Sequence, residues 1–383
     1  MDFDFLSPLD TSLIDFVKQL TSQQLGSKMV LNTANEFPDL DKVKLAIIGV
    51  QDNRGSNSSI SRVNHDSIRK ELYSLYPGNW NISIADLGTI ENGDTINDTY
   101  FALENIVSNL LRKKIIPIII GGSQDLTYAL YRSYDRLEQM VNLVTIDSKF
   151  DIGTQESLSS YNSYLSKIIV DEPNNLFNFS NVGYQTYLNS QEEIDLIEKM
   201  FFEAYRLGEV SVNVSISEPV FRDADLISLD LTSVKSSDSG NFTTFVPNGF
   251  TGKDICALAR YSGISDKVSV FGIFNYNNTF QESVLIAQII WYFIEGLHYR
   301  SGEYPFGSRT NYIKYIVPIE DQEIVFFKSN KTERWWMEIP FIVNGNNKLK
   351  KNTLLPCSEE EYFQACNQEI PERWWKAQRK NLI

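Results

Sequence analysis

The chain has 383 residues, 42% of them apolar and 13% aromatic, which supplies a substantial core and excludes a disordered polymer. Lys plus Arg total 35 against 49 Asp plus Glu, a net charge of −14, which excludes the basic footprint of a nucleic-acid binder and disfavours docking on an anionic membrane. Cys256, Cys357 and Cys366 are widely separated with no CxxC, so neither a disulfide framework nor a zinc ribbon is indicated, and His65 and His298 alone are too few for a histidine-rich metal site.

Residues 1–40 read as an N-terminal helical extension. The opening MDFDFLSPLD is acidic and lacks the basic and long apolar regions of a signal peptide, so the cytoplasm is the expected location. Leu13, Phe16, Val17 and Leu20 stand at helical spacing and predict a helix near 10–24. Strands and helices then alternate. Residues 43–50 (VKLAIIGV) are a predicted buried strand, followed by the loop DNRGSNSS and a helix from about Ser61 to residue 76. Further strands are predicted at 81–87, 115–120, 142–146, 225–231 and 268–274, and further helices at 97–113, 125–138, 191–206, 251–261 and 281–299. The stretch 150–190 reads as loop-rich. The longest apolar run, 115–120, is far too short to cross a bilayer, so no membrane insertion is expected.

This alternation predicts an α/β fold over 41–330: three layers, α/β/α, around a mainly parallel sheet. Within it, strands at 312–318 and 323–328 are expected to join through Glu320, Asp321 and Gln322. Residues 331–383 are expected to form a C-terminal appendage packed on that domain, with a helix starting at the capping box of Ser358 and Glu361. Trp335, Trp336, Trp374 and Trp375 read first as glue between tail and domain, and second as a docking surface for a protein partner.

Ligands of an open parallel sheet bind beyond the carboxyl ends of its strands. Three such ends carry polar clusters: Gly121-Gly122-Ser123-Gln124-Asp125, Asp147-Ser148-Lys149-Phe150-Asp151 and Ser228-Leu229-Asp230-Leu231-Thr232. A buried strand that ends in Asp is costly unless the charge finds a partner, so two such strands aimed at one rim suggest a shared cation; helix caps and solvated loops are the alternative. Arg54 reads as a solvent-facing loop residue, with recognition of a carboxylate as the sharper option. Lys235, Ser236 and Asp238 lie in a polar loop expected to reach over the rim. No GxGxxG, Walker lysine or GxSxG is present.

In order and spacing these three segments resemble the arginase/agmatinase (ureohydrolase) family, particularly its formimidoylglutamase-like branch, across roughly 43–300. The family has GGDHS, DAHxD and SxDxD at these places. The resemblance implies a binuclear manganese centre whose six ligands are the two His and four Asp of those motifs, a hydrolytic attack on an amidine-type C–N bond, and a homo-oligomer. This sequence departs from the pattern at half of the ligand positions. Asp147, Asp151 and Asp230 are kept, whereas Gln124, Lys149 and Thr232 stand where His, His and Asp are expected, and Asn275 takes the place of a substrate-holding Glu. A binuclear manganese site is therefore not expected. The remaining set, three carboxylates and one lysine, suits at most one divalent cation (Mn, Mg or Ca). The functional expectation is a ureohydrolase-like pseudoenzyme serving as a binding or scaffold protein with a cytoplasmic partner; the alternative is a single-metal hydrolase of linear amidines.

Overall fold

The structure is a computed structural model that describes residues 3–56, 63–153, 161–303, 310–320, 322–340 and 354–380. Its principal sheet is built from β1 (Leu6–Ser7), β2 (Val30–Leu31), β3 (Leu45–Val50), β4 (Ile84–Ile90), β5 (Ile116–Ile120), β6 (Val141–Ile146), β7 (Leu176–Tyr184), β8 (Glu203–Arg206), β9 (Leu226–Asp230) and β10 (Val270–Phe274). The order β4-β3-β5-β10-β9-β6-β7-β8 is parallel throughout. The outer edge of β4 is covered by β1, antiparallel, and β2, parallel. Every residue of β3, β4, β6, β9 and β10 is buried, as expected of strands covered on both faces.

Alternating side chains feed two cores. Leu45 and Ile47 of β3 join the layer of α1 (Thr11–Gln19) and α2 (Asp66–Ser74), while Ala46 and Ile48 join that of α3 (Ile96–Arg112) and α4 (Leu126–Arg132). The second layer continues with α5 (Tyr164–Val170) and α6 (Gln191–Lys199); the first with α7 (Leu207–Val212), α8 (Glu218–Asp223), α10 (Gly252–Ile264) and α11 (Phe280–His298). The short α9 (Ser236–Ser239) precedes α10. Burial of this apolar surface is the main stabilising term.

Two expectations are corrected. The supposedly loop-rich 150–190 contains α5 and the nine-residue β7, and the helix expected over 191–206 stops at Lys199 and gives way to β8. The reason is chemical: β7 buries Asn178, Ser180 and Asn181, which interrupt the apolar signal. Asn178 donates to Glu203 of β8 at 3.1 Å, and Asn181 donates to Thr145 Oγ1 at 3.1 Å and to the Lys149 carbonyl at 2.8 Å, so the amide donors are taken up inside the fold, while Asn181 Oδ1 is buried without a partner. Ser61, the expected start of the first core helix, and Asp321 of the expected hairpin turn lie outside the described residues; α2 begins at Asp66.

A second, antiparallel sheet runs β11 (Tyr312–Ile319), β12 (Gln322–Ser329), β13 (Trp335–Glu338) and β14 (Leu354–Cys357), so it straddles residue 330. It is followed by α12 (Glu359–Cys366) and α13 (Glu372–Lys380). Arg222 of α8 donates to the carbonyls of Trp335 (3.0 Å) and Cys357 (2.9 Å), and Arg373 of α13 pairs with Glu203 of β8 at 2.7 Å. Trp335, Trp336 and Trp374 are buried, which is the packing role; Trp375 is half-exposed and meets Phe201 edge-on.

Candidate functional site: the carboxyl rim of the sheet

Strand order places the ends of β5, β10, β9 and β6 side by side, with β5 and β6 successive in sequence but separated in the sheet by two intervening strands, β10 and β9. That separation is the topological switch at which α/β sheets bind ligands. All seven residues singled out from the sequence lie at these ends. After β5 the chain turns tightly: a Cβ on Gly122 would stand 2.0 Å from the Asp52 carbonyl oxygen, so only glycine passes there. Gln124, fully buried, follows this turn.

The Gln124 carboxamide is engaged at both ends. Its Nε2 donates to Tyr164 OH at 3.2 Å, and its Oε1 accepts from Asn275 Nδ2 at 3.4 Å. Its backbone N–H donates to Asn275 Oδ1 at 3.1 Å, and Asn275 Nδ2 also donates to Asp230 Oδ2 at 3.0 Å. Asn275 holds a left-handed backbone (φ 59°), as does Asp151 (φ 55°), a conformation that Asn and Asp tolerate better than most residues. The result is a polar seam linking the ends of β5, β9 and β10. Tyr164, its fourth member, was missed from the sequence: it comes from α5, inside the stretch read as loop.

The aspartates sit beside this seam. Asp147 Oδ1 accepts the Lys149 N–H at 2.9 Å, and Asp230 Oδ1 accepts the Thr232 N–H at 2.7 Å. Oδ2 of Asp147 and Oδ2 of Asp151 are buried with no hydrogen-bond partner. Burial first, and then the Asp230 charge, push the Asp147 carboxyl up to about 8. Burial and the neighbouring carboxylates drive Asp151 well above the usual range, and burial raises Asp230 against the hydrogen bonds that favour its charge. Lys149 is half-exposed; its ammonium lowers Asp151 and Asp230 from a distance without an ion pair to a described residue.

This donor set does not fit a pair of manganese ions, because an occupied amide, an ammonium and a hydroxyl replace two imidazoles and a carboxylate. For one hard cation the three aspartates and their two unpaired oxygens are the available donors. Among the described residues no group of three or more His, Cys, Asp or Glu is set to hold a metal ion.

The other sequence candidates have internal roles. Arg54 is exposed, as expected of a loop arginine, and its guanidinium is held by this chain: it grips Asp52 through Nε (3.0 Å) and Nη2 (2.5 Å) and donates to the carbonyls of Gly93 and Asp94. Lys235, Ser236 and Asp238 are part of the α9 segment, where Asp238 accepts the Gly252 N–H at 2.8 Å and pins the start of α10. His65 is buried before α2, and His298 is exposed at the end of α11. No described helix is long and apolar enough to cross a membrane.

The formiminoglutamase of Trypanosoma cruzi, solved with Mn2+, superposes with a TM-score of 0.63 at 17% identity, covering 72% of this chain and 99% of that one. The formimidoylglutamase of Bacillus subtilis gives 0.62 at 17% identity, over 70% and 91%. The agmatine ureohydrolase of Thermoplasma volcanium gives 0.57 at 19% identity, over 74% and 97%. These likenesses show a shared fold. No curated protein matches the sequence. The description "Arginase family" matches residues 43–294, a span that begins just before β3 and ends within α11. With that match over most of the sheet and all three strand-end motifs, the chain belongs to the arginase family.

Proposed function

We propose that this arginase-family chain has lost the binuclear manganese centre and acts as a non-catalytic binding or scaffold protein in the cytoplasm. One observation carries the reading: Gln124, at the place of a ligating His, spends both ends of its carboxamide on Tyr164 and Asn275. Lys149 places a positive charge near the second metal position, and Thr232 removes that metal's remaining exclusive carboxylate. A metal-activated hydroxide at neutral pH depends on strong Lewis acidity, and this site is poor in it. Self-association, as in the family, or a cytoplasmic protein partner fits a scaffold role.

The test is elemental analysis after dialysis from excess manganese. At most one equivalent per chain is expected; two equivalents overturn the proposal. Incubation with manganese and a panel of guanidino and formimino compounds is expected to release no urea, ammonia or formamide. Turnover that Asp230→Ala abolishes would replace the proposal with the second reading, a single-metal hydrolase of linear amidines. That reading is favoured by the two unpaired carboxylate oxygens of Asp147 and Asp151. In it Asp147, Asp151 and Asp230 hold one hard cation, which supplies charge stabilisation.

A further inference from the structure

On the β7–β8 side of the rim lies a cavity of about 640 Å3, walled by the 184–187 loop, Arg206, Asn248 and the first turn of α10 with Lys253. Its wall is fixed to the strand-end segment. Tyr184 stacks on Phe150 with centroids 5.1 Å apart, and the Gln185 N–H donates to the Ser148 carbonyl at 3.0 Å. The opposite wall is locked by a reciprocal amide pair: Gln185 Nε2 donates to the Asn248 carbonyl at 3.0 Å, and Asn248 Nδ2 donates to Gln185 Oε1 at 2.9 Å. The cavity is therefore shaped before any ligand arrives.

Its charges are unusual for a chain of net charge −14. Arg206 and Lys253 both line it from exposed positions, and neither forms an ion pair with a described residue. The acid on the same wall, Asp254, is committed to the α10 capping box, accepting the Thr251 N–H at 3.0 Å. Glu209, one turn along on α7, is exposed, and its charge reaches Tyr184 alongside that of Arg206. At the start of α10, Gly252 N–H is taken by Asp238 and Asp254 N–H by Thr251, whereas Lys253 N–H has no acceptor among the described residues. Two exposed cations, the N-terminal turn of a 13-residue helix and a rim of tyrosine and amide side chains border one space.

We infer that this cavity binds a small anionic molecule, gripping its carboxylate or phosphate between Arg206 and Lys253. The inference goes beyond the proposed function, since it requires neither a metal nor a hydrolytic step. Isothermal titration of the full chain at low salt, with succinate in one arm and inorganic phosphate in the other, tests it and identifies the anion class. At least one anion is expected to bind at millimolar concentration or below. Arg206→Ala and Lys253→Ala are each expected to weaken binding about tenfold, the value of one charge-assisted contact. Arg206→Lys should retain most of the affinity and Lys113→Ala, on exposed α3 surface, all of it. Thermal melts verify that each variant is folded. Absence of heat from both anions at about 10 mM, or binding that survives the double alanine variant, overturns the inference; neither result bears on the manganese count.

Discussion

His65 sits where an imidazole is expensive to charge. It is 2% exposed, packs against Gly49 and lies 6.2 Å from the Tyr276 ring, and burial, followed by the Arg69 charge, lowers it to about 3. In the unfolded chain the same group titrates near 6.5, so between those values the unfolded state binds the extra proton. Stability from His65 is complete above 6.5 and declines by up to about 1.4 kcal/mol per pH unit below it. His65→Gln should flatten the variant's own stability-versus-pH curve between pH 6.5 and 4 in urea titrations, so that the wild-type-minus-variant difference falls as pH is lowered; a difference that does not change with pH would contradict the buried neutral imidazole. Asn275 gives a second test. Asn275→Ala removes two acceptor–donor links to Gln124 and one to Asp230 and keeps the left-handed backbone without the Asn side chain. A loss of about 2–4 kcal/mol is expected by chemical denaturation. At this scale the rim was legible in the sequence, because Asp, Gln, Lys and Thr fall at fixed offsets from strand ends. Tyr164 was not, because its partner Gln124 lies 40 residues away and no local period announces the contact.

Elements differ in how openly they declare themselves. The apolar strands β3, β5 and β10 and the amphipathic helix α3 are evident from composition and spacing. So is the start of α12, where Ser358 and Glu361 form the expected reciprocal cap. Strand β7 was hidden because its amide side chains donate to Glu203 of β8, Thr145 of β6 and the Lys149 carbonyl, contacts that appear only in three dimensions. The junction of β8 with α13 has a measurable consequence. Burial disfavours the Glu203 charge, but Arg373 and Lys380, with the Tyr205 hydroxyl, outweigh it and hold the carboxyl at about 2 against an ordinary 4.5. Its contribution is therefore complete above 4.5 and lost as pH falls toward 2. Arg373→Ala, which strands Glu203 in the interior, should cost about 3–5 kcal/mol at neutral pH. A calorimetric shift no larger than that of a surface Arg→Ala control would refute the lock.

For the whole molecule, the arginase-like architecture was visible from the order of strands, helices and motifs. The antiparallel sheet was only half visible: β11 and β12 were expected, while β13 and β14 are four residues each and carry the tryptophans that read as scattered glue. Both margins of the principal sheet are guarded, β4 by β1 and β2, and β8 by the α13 junction. Unguarded strand edges invite pairing with another chain. A chain terminated after Glu303 loses the second sheet, α12 and α13 and leaves Glu203 without its cations. Light scattering should report aggregation of that truncation under conditions where the full chain is monodisperse.

The seam through Gln124, Asn275 and Asp230 also makes the rim a ratchet. The strand ends that a shared ion would draw together are already stitched by amides. Gln124→His alone removes stitches before any ion can compensate, and Lys149→His or Thr232→Asp alone adds a donor where too few others await it. Only the triple change crosses the intervening valley, so tight manganese binding should emerge from the three substitutions together and from none of them singly.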